Sequence, residues 1–174
     1  MKLVFSIAAA FVLGTALILP ATADGPDGTV QAFVQPVLIS ISISPTSMDY
    51  EAVEFGVNDA RPTPASFTLT NNGSVPVDLE IRGDDSHNAS NGQAAWTLGG
   101  TPGNETYAHR FTMNSNAQTV AEFTPLTKTF EVFKQDFAVS GNQSVWLSLG
   151  MPTQSVNVAR QILPVTVRAL QATP

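Results

Sequence analysis

The chain has 174 residues, a formal net charge of −6 at pH 7 and no cysteine. Zero cysteines exclude thiolate chemistry, Cys-ligated zinc and a disulfide scaffold. The acidic balance repels polyanions and so argues against nucleic-acid or anionic-lipid partners.

Residues 1–23 read as an export signal. Lys2 is the charged start, residues 3–19 are apolar and uncharged, Pro20 breaks a helix, and Ala21-Thr22-Ala23 is an A-x-A cleavage site before Asp24. A retained anchor is the rival reading, but the apolar run falls short of the ~20 residues of a spanning helix. A pilin-type helical stem is disfavoured, because Asp24-Gly25-Pro26-Asp27-Gly28 is turn-like. Cleavage leaves residues 24–174 as one domain, one unit more acidic without Lys2 and with no membrane span. An exported domain that manages without disulfides suggests a prokaryotic source and a secreted or cell-surface location.

Strand patterns fill the remainder. Residues 29–34 read as a short first strand. Val37, Ile39, Ile41 and Ile43 alternate with Leu38, Ser40, Ser42 and Ser44 as a long second one, ended by Pro45. Val53, Phe55 and Val57 suggest a third. Phe67 and Leu69, then Val75, Val77, Leu79 and Ile81, flank Asn72-Gly73, a pair able to supply the positive φ angles of a tight hairpin. Residues 84–93 form a polar loop, and residues 95–98 a short strand closed by Gly99-Gly100. Tyr107, His109, Phe111 and Met113 share one face of the next strand. Residues 129–133 and 145–149 give two more, and Val165, Val167 and Ala169 the last. No helical period appears beyond the signal. Strands recurring every ~8–12 residues with Gly and Pro between them indicate an all-β sandwich or barrel.

Residues 43–83 also carry a resemblance. The run S-P-T-S-M-D-Y-x-x-V-x-F-G-V, then F-T-L-T-N-N-G-S-V-P-V-D-L-E-I, resembles the immunoglobulin-like domains of the ASH/major-sperm-protein type found in prokaryotic surface proteins. Ser44, Pro45, Tyr50, Val53, Gly56, Thr70, Asn71, Gly73, Pro76 and Leu79 carry the match. It covers about a third of the chain, and the part from Trp96 onward departs from the pattern. The resemblance implies a single immunoglobulin-like antiparallel sandwich of about seven to ten strands, and for function a spacer or binding module.

No catalytic set is legible. The two histidines are His87, in the polar loop, and His109, on a strand face, where it reads as a histidine satisfied at the core edge. Neither G-x-S-x-G nor H-E-x-x-H occurs, so the chain is read as non-enzymatic and without a cofactor. Asp84 and Asp85, near Asn88 and Asn91, are hard oxygen ligands of the kind calcium takes, though without EF-hand spacing; the plain alternative is a solvated loop. Asn72, Asn88, Asn104 and Asn142 head N-x-S/T sequons in predicted turns, with Asn72 committed to its hairpin. Leu163-Pro164-Val165-Thr166 looks like a sortase signal but lacks the glycine and the apolar tail. Trp96-Thr97-Leu98 matches W-x-L, and one tripeptide reads more simply as packing.

Three functions remain open. The first is a secreted or surface structural or adhesive module with protein partners. The second is a filament subunit in which Val37, Ile39, Ile41 and Ile43 leave their own domain and complete a neighbour's sheet, against which stands pairing within the same sandwich. The third is a carbohydrate-binding domain with Trp96, Tyr107 and Trp146 as an aromatic platform, against core packing of the same rings.

Overall fold

The computed structural model describes residues 30–172; the export signal expected at residues 1–23 and the start of the strand expected at residues 29–34 lie outside the described residues. The chain divides into two units, Met1–Gln35 and Pro36–Pro174. Within the first, residues 30–35 form no strand, and Val30, Phe33 and Val34 are 92%, 89% and 90% exposed.

The second unit is all-β. Its strands are β1 (Ile41–Ser44), β2 (Ser66–Asn71), β3 (Val77–Gly83), β4 (His87–Asn88), β5 (Thr97–Leu98), β6 (Thr106–Thr112), β7 (Thr124–Pro125), β8 (Glu131–Phe137), β9 (Asn142–Gly150), β10 (Gln161–Ile162) and β11 (Val165–Gln171), with one 3₁₀ turn at Val120–Glu122. The larger sheet runs β1-β2-β9-β6-β5, with β7 beside the far end of β6. The smaller runs β11-β3-β8, and β10 pairs β4 apart from both. All pairings are antiparallel except β5 with β6.

Alternation explains the packing. In β2, Phe67 and Leu69 point inward between Thr68 and Thr70; in β3, Val77, Leu79 and Ile81 do so; in β9, Val145, Leu147 and Leu149. These faces meet Tyr107 and Phe111 of β6 and Phe137 of β8 in one core. A period of two commits one face of each strand to the interior, and two such sheets bury each other.

Several expected elements differ. Residues 30–34 are not a strand, and the second strand shortens to β1, because Leu38 to Ser40 run beside residues 72–74 by two backbone bonds without a continuous ladder. Val53, Phe55 and Val57 lie in an irregular loop, with Gly56 at φ +83°. Met113 falls past the end of β6 and is 40% exposed. The strand expected at 129–133 begins at Glu131 and continues to Phe137, and the polar loop after β3 contains β4.

The largest correction concerns Asn72-Gly73. β2 and β3 do not pair; they belong to different sheets, and residues 72–76 carry the chain across the core. Gly73 is not among the positive-φ residues. It is needed for close approach instead, since a Cβ there would strike the Leu38 carbonyl oxygen and sit 3.0 Å from Asn71 Oδ1. Asn71 pins the crossing: buried at the end of β2, its Nδ2 donates to Val75 O and Phe137 O, each at 3.0 Å, and its Oδ1 accepts from Gly73 N at 2.9 Å. A buried amide this fully paired joins the two sheets at little desolvation cost.

Candidate functional site: a cleft at one end of the sandwich

β1 and β11 are edge strands of their sheets, and residues of both line one cleft. Toward the Pro45 end the sheets part, and a cleft of about 1040 Å³ opens between them. Ile43, Phe67, Leu147 and Leu149 line it from the larger sheet, Val165 and Val167 from β11, and the loops 45–55 and 157–164 form its rims. Phe67, Leu147 and Leu149 are buried, whereas Ile43, Val165 and Val167 are only half-buried. The rims carry exposed apolar side chains among polar ones: Phe55 is 40%, Ile162 47% and Val158 82% exposed. The rims are linked by Arg160 Nη2 and Asp49 Oδ2 at 2.7 Å, an ion pair standing largely in solvent.

The aromatic wall is continuous. Phe55 packs edge-on to Trp96 at 6.2 Å, Trp96 tilts on Tyr107 at 6.4 Å, Tyr107 lies 6.3 Å from His109, and His109 meets Tyr50 edge-on at 5.7 Å. The Tyr50 hydroxyl and His109 Nε2 share a hydrogen bond of 2.8 Å, and His109 Nδ1 is buried without a partner. Burial first, and then the Arg110 charge, push the His109 pKa down to about 4, so the imidazole is neutral at pH 7. Burial likewise holds the Tyr50 phenol far above its ordinary value. Trp96 Nε1 donates to Ser155 Oγ at 2.8 Å, and Ser155 Oγ donates to Glu105 Oε2 at 2.7 Å, which fastens the strand-poor segment after β9.

Asp59, Asp84, Asp85 and Glu105, outside the cleft, are bound to protein partners. Burial disfavours the charge of Asp85, but Lys128 Nζ at 2.7 Å and the Leu98 amide at 2.8 Å outweigh it and hold the carboxyl below the usual range. A lysine ammonium thus neutralises Asp85 directly. Asp84 Oδ1 accepts the Asp85 amide at 2.9 Å and its carbonyl accepts the Tyr107 hydroxyl. Among the described residues, no group of three or more His, Asp or Glu is placed to hold a metal ion. Asp59 follows the pattern of Asp85: burial opposes its charge, while Arg61 and a 2.6 Å bond from Ser148 Oγ win and lower its pKa.

The other expected residues are dispersed. Trp96 and Tyr107 are 6% and 0% exposed, and Trp146 points to the opposite face of its strand from Val145 and Leu147, so the three rings share no surface. Asn72 and Asn104 are exposed. Asn88 lies in β4, and Asn142 is the exposed first residue of β9, accepting from Thr70 Oγ1 at 2.7 Å, so neither is in a turn. His87 is half-buried in β4. Ile41 and Ile43 are half-buried in β1, paired with β2 of the same chain, while Val37 and Ile39 are 48% and 41% exposed. Leu163-Pro164 leads into β11, which begins at Val165. The cleft itself was not foreseen. Its trace in the sequence is Phe55 and Val158, apolar residues in segments otherwise written in turn residues.

No family model matches the chain, and no curated protein matches it. Among the described residues, no helix is long and apolar enough to cross a membrane.

Proposed function

We infer that the protein is a non-enzymatic structural or adhesive β-sandwich displayed outside the cell. The observation that carries this reading is the way its reactive groups are used. Asp59, Asp85 and Glu105 each accept two or more bonds from neighbouring protein groups, and His109 is neutral, buried and bonded to Tyr50. These contacts tie loops to strands rather than aim at a shared point where a substrate could react. The resemblance of residues 43–83 to ASH-type surface domains and the leader at residues 1–23 support the same reading.

Labelling of intact producing cells with a membrane-impermeant amine reagent tests it. Lys128 and Lys134 are the lysines of the sandwich. The protein should be labelled while a cytoplasmic marker stays unlabelled, and its intact mass should begin at Asp24. Protein labelled only after lysis would remove the extracellular assignment.

A further inference from the structure

The cleft poses a physical problem. Phe55, Ile162 and Val158 stand exposed at its rims, and β1 and β11 each present an outer edge that pairs with no other strand among the described residues. Exposed apolar rims beside a free strand edge mark an interaction surface. The cavity, at about 1040 Å³, is at the upper end of small-molecule sites, which span ~300–1,000 Å³ and present convergent polar groups. Here the interior polar pair, Tyr50 and His109, is spent on itself save for one ring nitrogen. The cleft therefore suits an apolar chain segment better than a compact polar ligand.

The chain carries such a segment. Val30, Phe33 and Val34 are almost fully exposed. Extended, residues 30–35 put Val30, Ala32 and Val34 on one face, with Gln31, Phe33 and Gln35 on the other. At about 3.3 Å per residue the segment spans about 20 Å, close to the about 23 Å of the seven-residue β11. Pro36 follows it and stops the ladder there.

Connectivity sets the direction. The chain enters the sandwich beside residues 72–74, where Leu38 O and Ser40 O accept from Ser74 N and Asn72 N, each at 2.9 Å. The cleft opens at the other end of β1, around Pro45. A segment joined to the chain at one end of the sandwich and a slot at the opposite end suit a heterologous, head-to-tail contact between copies, which extends as a filament unless it closes as a ring.

We propose that residues 30–35 of a second copy enter the cleft as an added strand along β11, with Val30, Ala32 and Val34 directed at Val165, Val167 and Ile43. The donor is thus the segment before Pro36, while Ile41 and Ile43 stay in β1 and build the acceptor. The backbone ladder would supply affinity and the apolar face register. This proposal rests on the structural reading above and names its partner.

Protein recovered from producing cells, with its intact mass recorded, is sized by light scattering over a wide concentration range and imaged by negative stain. The unaltered protein should form rods or concentration-dependent oligomers. The double variant Ala32→Asp, Val34→Asp should stay monomeric at every concentration, and its melting midpoint should equal that of the unaltered protein at a dilution where both are monomeric, because these side chains are exposed. A synthetic peptide of residues 29–36 should shorten the rods of the unaltered protein. Three results each overturn the proposal: a monomer throughout for the unaltered protein, rods that survive the double variant, or a double variant that melts below the unaltered protein at a dilution where both are monomeric, which would mean that the segment packs on its own chain. Assembly is read on purified protein, so it fails or holds independently of where the cell puts the molecule.

Discussion

The two ends of β1 and β2 are built from the same kind of sequence and end differently. At the Asn71 end the sheets are sewn together: Val77, Leu79 and Val145 have no exposed surface, and the side chain of Asn71, the last residue of β2, bonds to Phe137 of the smaller sheet and to Val75 of the crossing segment. At the Pro45 end Ile43, Val165 and Val167 offer equally apolar side chains, yet they remain half-buried around an open cleft. Hydrophobic patterning sets which face of a strand turns inward, but it closes a core only where a neighbouring strand supplies the opposing face. The closed end has that neighbour within the chain, and the open end lacks one among the described residues.

This contrast should appear first in core truncations. Leu79→Ala, at the closed end, should cost about 2–5 kcal/mol, because its surroundings cannot collapse onto the void. Val167→Ala, in the cleft, should cost about 1 kcal/mol or less, since little apolar surface is withdrawn from water there. Chemical denaturation of both variants at low protein concentration makes the comparison, and equal losses would mean that the cleft is as well packed as the core.

The aromatic wall of the open end carries a titratable group, His109. Its folded pKa of about 4 lies below the ordinary 6.5, so the unfolded chain binds the extra proton. Stability from this group is therefore complete above about pH 6.5 and is lost as pH falls toward 4, by on the order of 3 kcal/mol. The depressed carboxylates Asp59 and Asp85 add their own loss, in the lower range where carboxylates protonate. His109→Gln can keep the bond to Tyr50 and removes the titration. Its stability-against-pH curve should be flatter between pH 6.5 and 4, and a curve parallel to that of the unaltered protein would show that His109 is not the group being titrated.

Gly73→Val should cost about 1–3 kcal/mol through overpacking against the Leu38 carbonyl. Gly73→Ala should already show much of this loss, because the clash begins at Cβ. A positive-φ hairpin would instead penalise alanine mildly and the β-branched residue heavily. Arg160→Ala should have the smallest effect, about 0–1 kcal/mol, because its ion pair with Asp49 is exposed. A larger loss in the melting midpoint would mean that the rims of the cleft hold the fold together.

The reading of the sequence went as far as faces and stopped at partners. Val77, Leu79 and Ile81 announce a strand with one buried side, as do Val145, Leu147 and Leu149, and the structure has both. Asn72-Gly73 suggested that the strands on either side of it lie next to each other. They instead face each other across the core, and alternation reads the same in both arrangements. Asn71 was the deciding residue, since a buried amide bonded to the far sheet favours crossing over turning back. Val53, Phe55 and Val57 alternate without a partner strand, and Gly56 breaks the extended path. The cleft was illegible because it forms from the far ends of β1 and β11, whose proximity is set only after both sheets close.

Hydrogen exchange at β11 tests the central claim most directly. In a strand paired on one side only, amides pointing toward β3 should be protected and those on the free edge should exchange quickly. Protection of the free-edge amides of residues 165–171 should rise with protein concentration, and also on adding the 29–36 peptide to the Ala32→Asp, Val34→Asp variant. Exchange at these amides that is slow in the dilute monomer, or indifferent to both concentration and peptide, would contradict the account of an edge left open for a second copy.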